Sequence, residues 1–201
     1  MADRSLRFAL GAVVLPLLFL AMSGLARAAT IVVNTLDGGS PPAPLCTLED
    51  AVLAADTKLP QDGCIAGTGN DTIEFSVTGT INIDAKMTIN TTDPVSINGP
   101  SVGGIIISGG NSKEILLADV GSKVTLNNLT FIDGSTSGGG GAIDADGTSL
   151  EVDNCTFSNN DAGEIGGQST LQAARSRSRI APLPATMAPS RAAASVTPAP
   201  S

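Results

Sequence analysis

The groups in this sequence best suited to chemistry are carboxylates and thiols. Asp144-Ala145-Asp146-Gly147, with Asp153 shortly after, sets oxygen ligands on a glycine turn, and oxygen is the donor calcium prefers. Solvated turn acids are the commoner meaning of such a pattern, so calcium is a minor candidate and no other cofactor is indicated. The thiols are Cys46, Cys64 and Cys155. His, Tyr and Trp are absent. That removes the commonest general base, the commonest nitrogen ligand for metals and the usual sugar-stacking rings together. Carboxylates alone can still act as acid and base.

Charge narrows the partners. Residues 29–167 hold four cations, Lys58, Lys86, Lys113 and Lys123, against eighteen acids, for a formal charge of −14. Every arginine lies at Arg27 or earlier, or at Arg175 or later. So acidic a surface repels phosphate backbones, which argues against nucleic acid.

The amino terminus carries Arg4 and Arg7, an apolar run over 8–22 interrupted by Pro16, and then Ala26-Arg27-Ala28. A basic start, a short apolar core and an A-x-A site read as a secretory signal peptide over 1–28, cleaved between Ala28 and Ala29. The run is short for a spanning helix, and no later stretch is long enough to hold the mature chain in a bilayer. In an exported chain, Cys46 and Cys64 are expected to form a disulfide across the short helix between them. Closing a loop of that size stabilises by about 3 kcal/mol on chain-entropy grounds.

The elements that must position these groups are short and mostly β. Runs such as Ile31-Val32-Val33, Thr72-Ile73-Glu74-Phe75 and those over 80–83, 87–89, 95–97, 104–107, 114–117, 123–131 and 149–157 are punctuated by Gly, Asn and Asp. The one helix expected spans 48–56, capped by Thr47 with Asp50 three residues on. Val124-Thr125-Leu126-Asn127-Asn128-Leu129-Thr130-Phe131 aligns with Leu150-Glu151-Val152-Asp153-Asn154-Cys155-Thr156-Phe157 at an offset of 26, and Gly140-Gly141 recurs as Gly166-Gly167 at the same offset. A period in the twenties built from strands and glycine turns is one coil of a β-solenoid. Equivalent side chains then stack: Phe131 on Phe157 inside, Asn128 on Asn154 at a corner, each asparagine bonding to the neighbouring coil. Cys155 falls opposite Leu129 and reads as a small buried apolar residue. The Asn128-Leu129-Thr130 sequon is better explained by that corner than by glycosylation. The expected fold is all-β: a right-handed parallel β-helix with a short N-terminal capping helix that shields the first coil's strand edges.

After Gly167 the composition changes to Ala, Pro, Ser and Arg. The plain reading of 168–201 is a disordered linker. A shifted reading frame instead restores the coil pattern: Gln168-Ser169-Thr170 permits Ala-Ile-Tyr after the glycine pair, Ser176 and Ser178 turn apolar, and Ala192-Ala193 permits Gly-Gly. Leu183 fails, since no shifted codon gives a phenylalanine there. The tail is therefore expected to be frameshifted and disordered. Without a carboxy-terminal cap the last coil is expected to fray and to self-associate through its open edge.

Ile31-Val32-Val33-Asn34-Thr35-Leu36-Asp37, Cys46-Thr47-Leu48-Glu49-Asp50-Ala51-Val52, Cys64 and Asp71-Thr72-Ile73-Glu74-Phe75 resemble the CSLREA domain that begins many secreted bacterial β-helix proteins. Gly140-Gly141-Ala142-Ile143 and Phe157-Ser158-Asn159-Asn160 resemble the GGAI and FxxN motifs of polymorphic outer-membrane and autotransporter-like passengers, of pectin-lyase-like fold. The resemblance divides the chain into a cap region over 29–75 and coils over 76–167. It departs at Glu49-Asp50, where the family has Arg-Glu. It implies an exported, surface-associated β-helix without a settled activity. Enzymes of this shape use clustered aspartates with an arginine base, or several aspartates with a histidine nearby, and residues 29–167 have neither Arg nor His. The expectation is a secreted or cell-surface, non-catalytic, adhesin-like module whose extracellular partner is unknown and could be carbohydrate. The alternatives are a polysaccharide-active lyase or hydrolase and a non-functional gene remnant.

Overall fold

Most strands bury alternate residues, so each of these has one face to a core and one outward. The computed structural model describes residues 28–145 and 147–162. Residues 1–27 of the expected signal peptide over 1–28, Asp146 and residues 163–201, with Gly166-Gly167 and the tail 168–201, lie outside the described residues. The chain enters as β1 (Thr30–Val33) and continues into α1 (Leu48–Thr57), then makes successive coils. The first coil is β2 (Asp71–Phe75), β3 (Gly79–Asn82) and β4 (Met87–Ile89). The second is β5 (Pro94–Asn98), β6 (Ile105–Ser108) and β7 (Leu116–Ala118). The third is β8 (Lys123–Asn127), β9 (Leu129–Ile132), β10 (Ser135–Thr136) and β11 (Ile143–Asp144). The fourth is β12 (Ser149–Asp153), β13 (Thr156–Ser158) and β14 (Asp161–Ala162).

Every strand pairs in parallel with its equivalent one coil away. The longest sheet runs β1-β2-β5-β8-β12, a second β3-β6-β9-β13 and a third β4-β7-β11, with β10-β14 as a short pair. The chain is a parallel β-solenoid. Between the sheets, inward side chains form columns such as Ile73, Ile97, Leu126 and Val152. A second column is Ile81, Ile107, Phe131 and Phe157. Nearly all of this core is aliphatic, which suits strands because β-branched side chains pack well on a pleated surface.

The repeat of 26 residues holds on both long sheets at the last step, while earlier steps vary from sheet to sheet: Ile81 and Ile107 are also 26 apart, but the other spacings differ. Ile73 and Ile97 are 24 apart, Ile97 and Leu126 are 29 apart, and Leu126 and Val152 are 26 apart. Strand registers are kept by the core while corner loops take up the differences. The runs over 123–131 and 149–157 also each divide in two. At the break stand Asn128 with φ 56° and Asn154 with φ 50°. Asparagine tolerates that left-handed backbone, and the chain turns a corner there.

The cap is itself an irregular coil. Thr30 pairs with Thr72, 42 residues on, because α1 and its flanking loops are inserted. The helix packs on β4 and also touches β1 and β2. Leu36 lies against Gly79 of β3, where a Cβ would collide with the leucine side chain. Strand, loop and helix thus cover the starting edges of the three long sheets in turn, which shields unpaired strand edges.

Candidate functional site

Two constructions stand out: the braced cap and the stacked ladders of the coils. In the cap, Thr47 Oγ1 accepts the Asp50 N–H at 3.1 Å and so caps α1, as the sequence predicts. The helix ends at Thr57, one residue beyond expectation, and Lys58 follows as its C-cap with the left-handed φ of 60°. Cys46 and Cys64, both buried, form a disulfide with Cα atoms 4.7 Å apart.

Two acids two turns apart on one face of the helix dock it onto β4. Glu49 Oε1 accepts the Asp84 N–H at 2.6 Å, just before the strand. Asp56 Oδ1 accepts the N–H groups of Asn90 and Thr91 at 2.6 and 2.8 Å, just after it. Glu49 Oε2 is buried without a protein partner, and burial pushes this carboxyl above its usual range despite the bonds at Oε1.

Behind the helix lies a charged knot. The Asp71 side chain is fully buried, and Lys58 Nζ approaches its Oδ2 at 2.9 Å. Oδ1 accepts N–H groups from Thr68 at 2.9 Å and Ala29 at 3.2 Å. Burial alone would raise the Asp71 carboxyl, but the Thr68 N–H, the Lys58 ammonium and the N–H groups of Ala29 and Gly69 outweigh it and hold it below the usual value. Asp93 Oδ2 stands 3.7 Å from the same lysine nitrogen. No sequence pattern pointed to this knot; an aspartate opening a strand that is otherwise alternately apolar was its only trace.

In the coils the ladder residues meet. The rings of Phe131 and Phe157 lie 5.1 Å apart, 8° from parallel. Asn154 Nδ2 donates to Asn128 Oδ1 at 2.7 Å, and Asn128 Nδ2 donates to the Gly99 carbonyl at 3.4 Å. Gly99 occupies the same corner one coil earlier, where a Cβ would strike the Asn128 carbonyl. Asn127 Nδ2 donates to Asn98 Oδ1 at 2.7 Å, a second ladder beside the first that the sequence reading missed. Asn160 of the FxxN segment reaches back one coil, accepting the Gly134 N–H at 2.8 Å and donating to the Phe131 carbonyl at 3.0 Å.

The other candidates separate. Asp144 belongs to β11 and Asp153 to β12, on different sheets, and Asp146 is outside the described residues. Among the described residues no group of three His, Cys, Asp or Glu side chains could hold a metal ion. Besides Glu49, Glu114 is a second raised carboxyl: burial pushes it up, Lys86 at 3.3 Å opposes that, and the charge of Asp144 adds to it. The Cys155 thiol is buried, and burial pushes it up to about 11, so it is not a thiolate at neutral pH. Among the described residues no helix is long and apolar enough to cross a membrane.

No protein-family model matches the chain, and neither the curated proteins nor the solved structures contain a significant match.

Proposed function

We propose that the chain is an exported β-helix module, secreted or held at a cell surface, which serves a structural or adhesive role and does no catalysis. The observation that carries this reading is the pairing of Cys46 with Cys64 across the cap. Such bonds persist in oxidising compartments, outside the cytosol. Export fits the basic, apolar and A-x-A segments ending at Ala28, with Ala29 beginning the mature chain. Repeated outward columns such as Thr72, Ser96 and Thr125 offer an extended polar face to an extracellular partner, carbohydrate being the first class to try. The likeness to CSLREA-domain and adhesin-like passengers supports the same reading. On this view the coil pattern is cut short by a frameshift near Gly167.

The test is to express the full chain in a secreting bacterial host and to assay purified protein for glycan binding and for turnover. Recovery outside the cytoplasm, with binding and no depolymerisation of acidic polysaccharides with or without calcium, supports the proposal. Turnover would replace it with the lyase or hydrolase reading, which Glu114 beside Asp144 favours, and Glu114→Gln would then abolish the activity. A cytoplasmic, reduced product would refute export. Sequencing the coding DNA around Gly167 decides whether one base restores the coils, and so whether the gene is a remnant.

A further inference from the structure

We propose that cleavage between Ala28 and Ala29 creates an α-ammonium group which the buried Asp71 carboxylate receives, so that processing itself completes the cap. This rests on the export reading above, and concerns what the new terminus does once formed.

The geometry is already in place around Ala29. Its nitrogen lies 3.2 Å from Asp71 Oδ1, and its carbonyl accepts the Thr72 N–H at 2.8 Å. The residue is therefore fixed in register with Asp71 before β1 begins. Exposure changes at the same bond: Ala28 is exposed, whereas Ala29 is half-buried and packs against the core. Ala26-Arg27-Ala28 supplies the small residues that an exporting endopeptidase reads before its cut.

Hydrolysis consumes one water. The Ala28 carbonyl carbon keeps the hydroxyl and leaves as a carboxylate, and the Ala29 nitrogen takes up protons to become an ammonium. The bond to Asp71, charge-assisted until then only by its ionised acceptor, thereby gains a charged donor and becomes an ion pair.

Local charge favours the change. In the uncut chain the knot holds Lys58, from the end of α1, against Asp71 of β2 and Asp93 before β5, one cation against two anions. A terminal ammonium brings the count to two against two. Lys58 occupies Oδ2 of Asp71 and Ala29 faces Oδ1, so the two cations do not compete for one oxygen.

The sign of the pH dependence follows. An α-amino group ordinarily titrates at about 7.7–8.0, and the carboxylate raises that in the folded state. The stabilisation is complete below the ordinary value and lost as pH rises through the folded one.

Three measurements test this. Intact mass of the secreted protein should place its terminus at Ala29; another terminus overturns the processing step. Protein with Ala29 freed in vitro from a cleavable fusion is then compared with protein that keeps Ala28 in front of it. The freed form should melt about 2–4 °C higher at pH 7, a gap that closes by pH 10. Equal melting at every pH overturns the latch, whatever the mass shows. Asp71→Asn should erase the gap, and the one-residue extension decides the matter if that variant fails to fold.

Discussion

The cap and the fourth coil, the last described, cover the same core by different means. At the amino end each contact occurs once: Glu49 and Asp56 accept backbone N–H groups on either side of β4, Asp71 gathers Lys58 and three loop amides, and a disulfide pins the helix. At the other end contacts repeat: Phe157 lies on Phe131, Asn154 on Asn128, and Val152 extends the Ile97 and Leu126 column. The burial differs accordingly. Phe131 is 1% exposed and Phe157 9%. Repetition propagates a core cheaply but covers each residue only as well as its neighbours do, whereas ending a stack takes specific groups that satisfy strand edges.

The sharpest break of that contrast is in the aromatic column. Phe131→Ala removes a ring packed on both sides and should cost about 3–5 kcal/mol, measured by urea unfolding. Phe157→Ala should cost visibly less; equal losses would mean that position along the stack does not matter. Next comes the disulfide. Reducing it, or replacing Cys46 and Cys64 by serine, should remove about 3 kcal/mol. Hydrogen exchange should then quicken first at the amides of Asp84, Asn90 and Thr91, which α1 holds, and only later in β8 and β12. Cys155→Ala should leave cap exchange untouched.

The single contacts come third. Asp56→Ala strips the acceptor from two amides and should cost about 1–2 kcal/mol. Asn154→Ala, at an exposed ladder end, should cost about 0.5–1 kcal/mol by the same denaturation. The smallest effect is in pH. Glu49 and Glu114 are raised above the ordinary 4.5, so their protonation favours the fold and melting temperature should edge upward as pH falls through their folded values. Asp71 is lowered from 3.8, so its contribution is present above that value and is lost as pH falls through its folded one. Glu114→Gln should flatten the first limb and Asp71→Asn the second.

What was legible in the sequence divides along the same line. Stacking requires like above like, so the Val124 and Leu150 segments announced both the coil and its register, and Thr47 with Asp50 announced the helix. The period of 26 carried to the earlier coils only between β3 and β6, because strand registers tolerate corner loops of different length, with steps of 24 and 29 on the longest sheet. The Asn98 and Asn127 ladder was hidden for that reason. The docking acids were invisible because Glu49 and Asp56 serve backbone groups more than 30 residues away, and backbone leaves no residue signature. Asp144 and Asp153 looked like neighbours only because nine residues separate them; a coil corner sends them to different sheets.

The most direct test is proton NMR of the aromatic region, which is sparse because the chain has five Phe and no Tyr, Trp or His. Parallel coils in register put the rings of Phe131 and Phe157 5.1 Å apart, so a strong ring-to-ring cross-relaxation peak is expected that Phe157→Leu removes. Two well-resolved rings that show no mutual peak, each contacting different strands, would contradict the stacked arrangement.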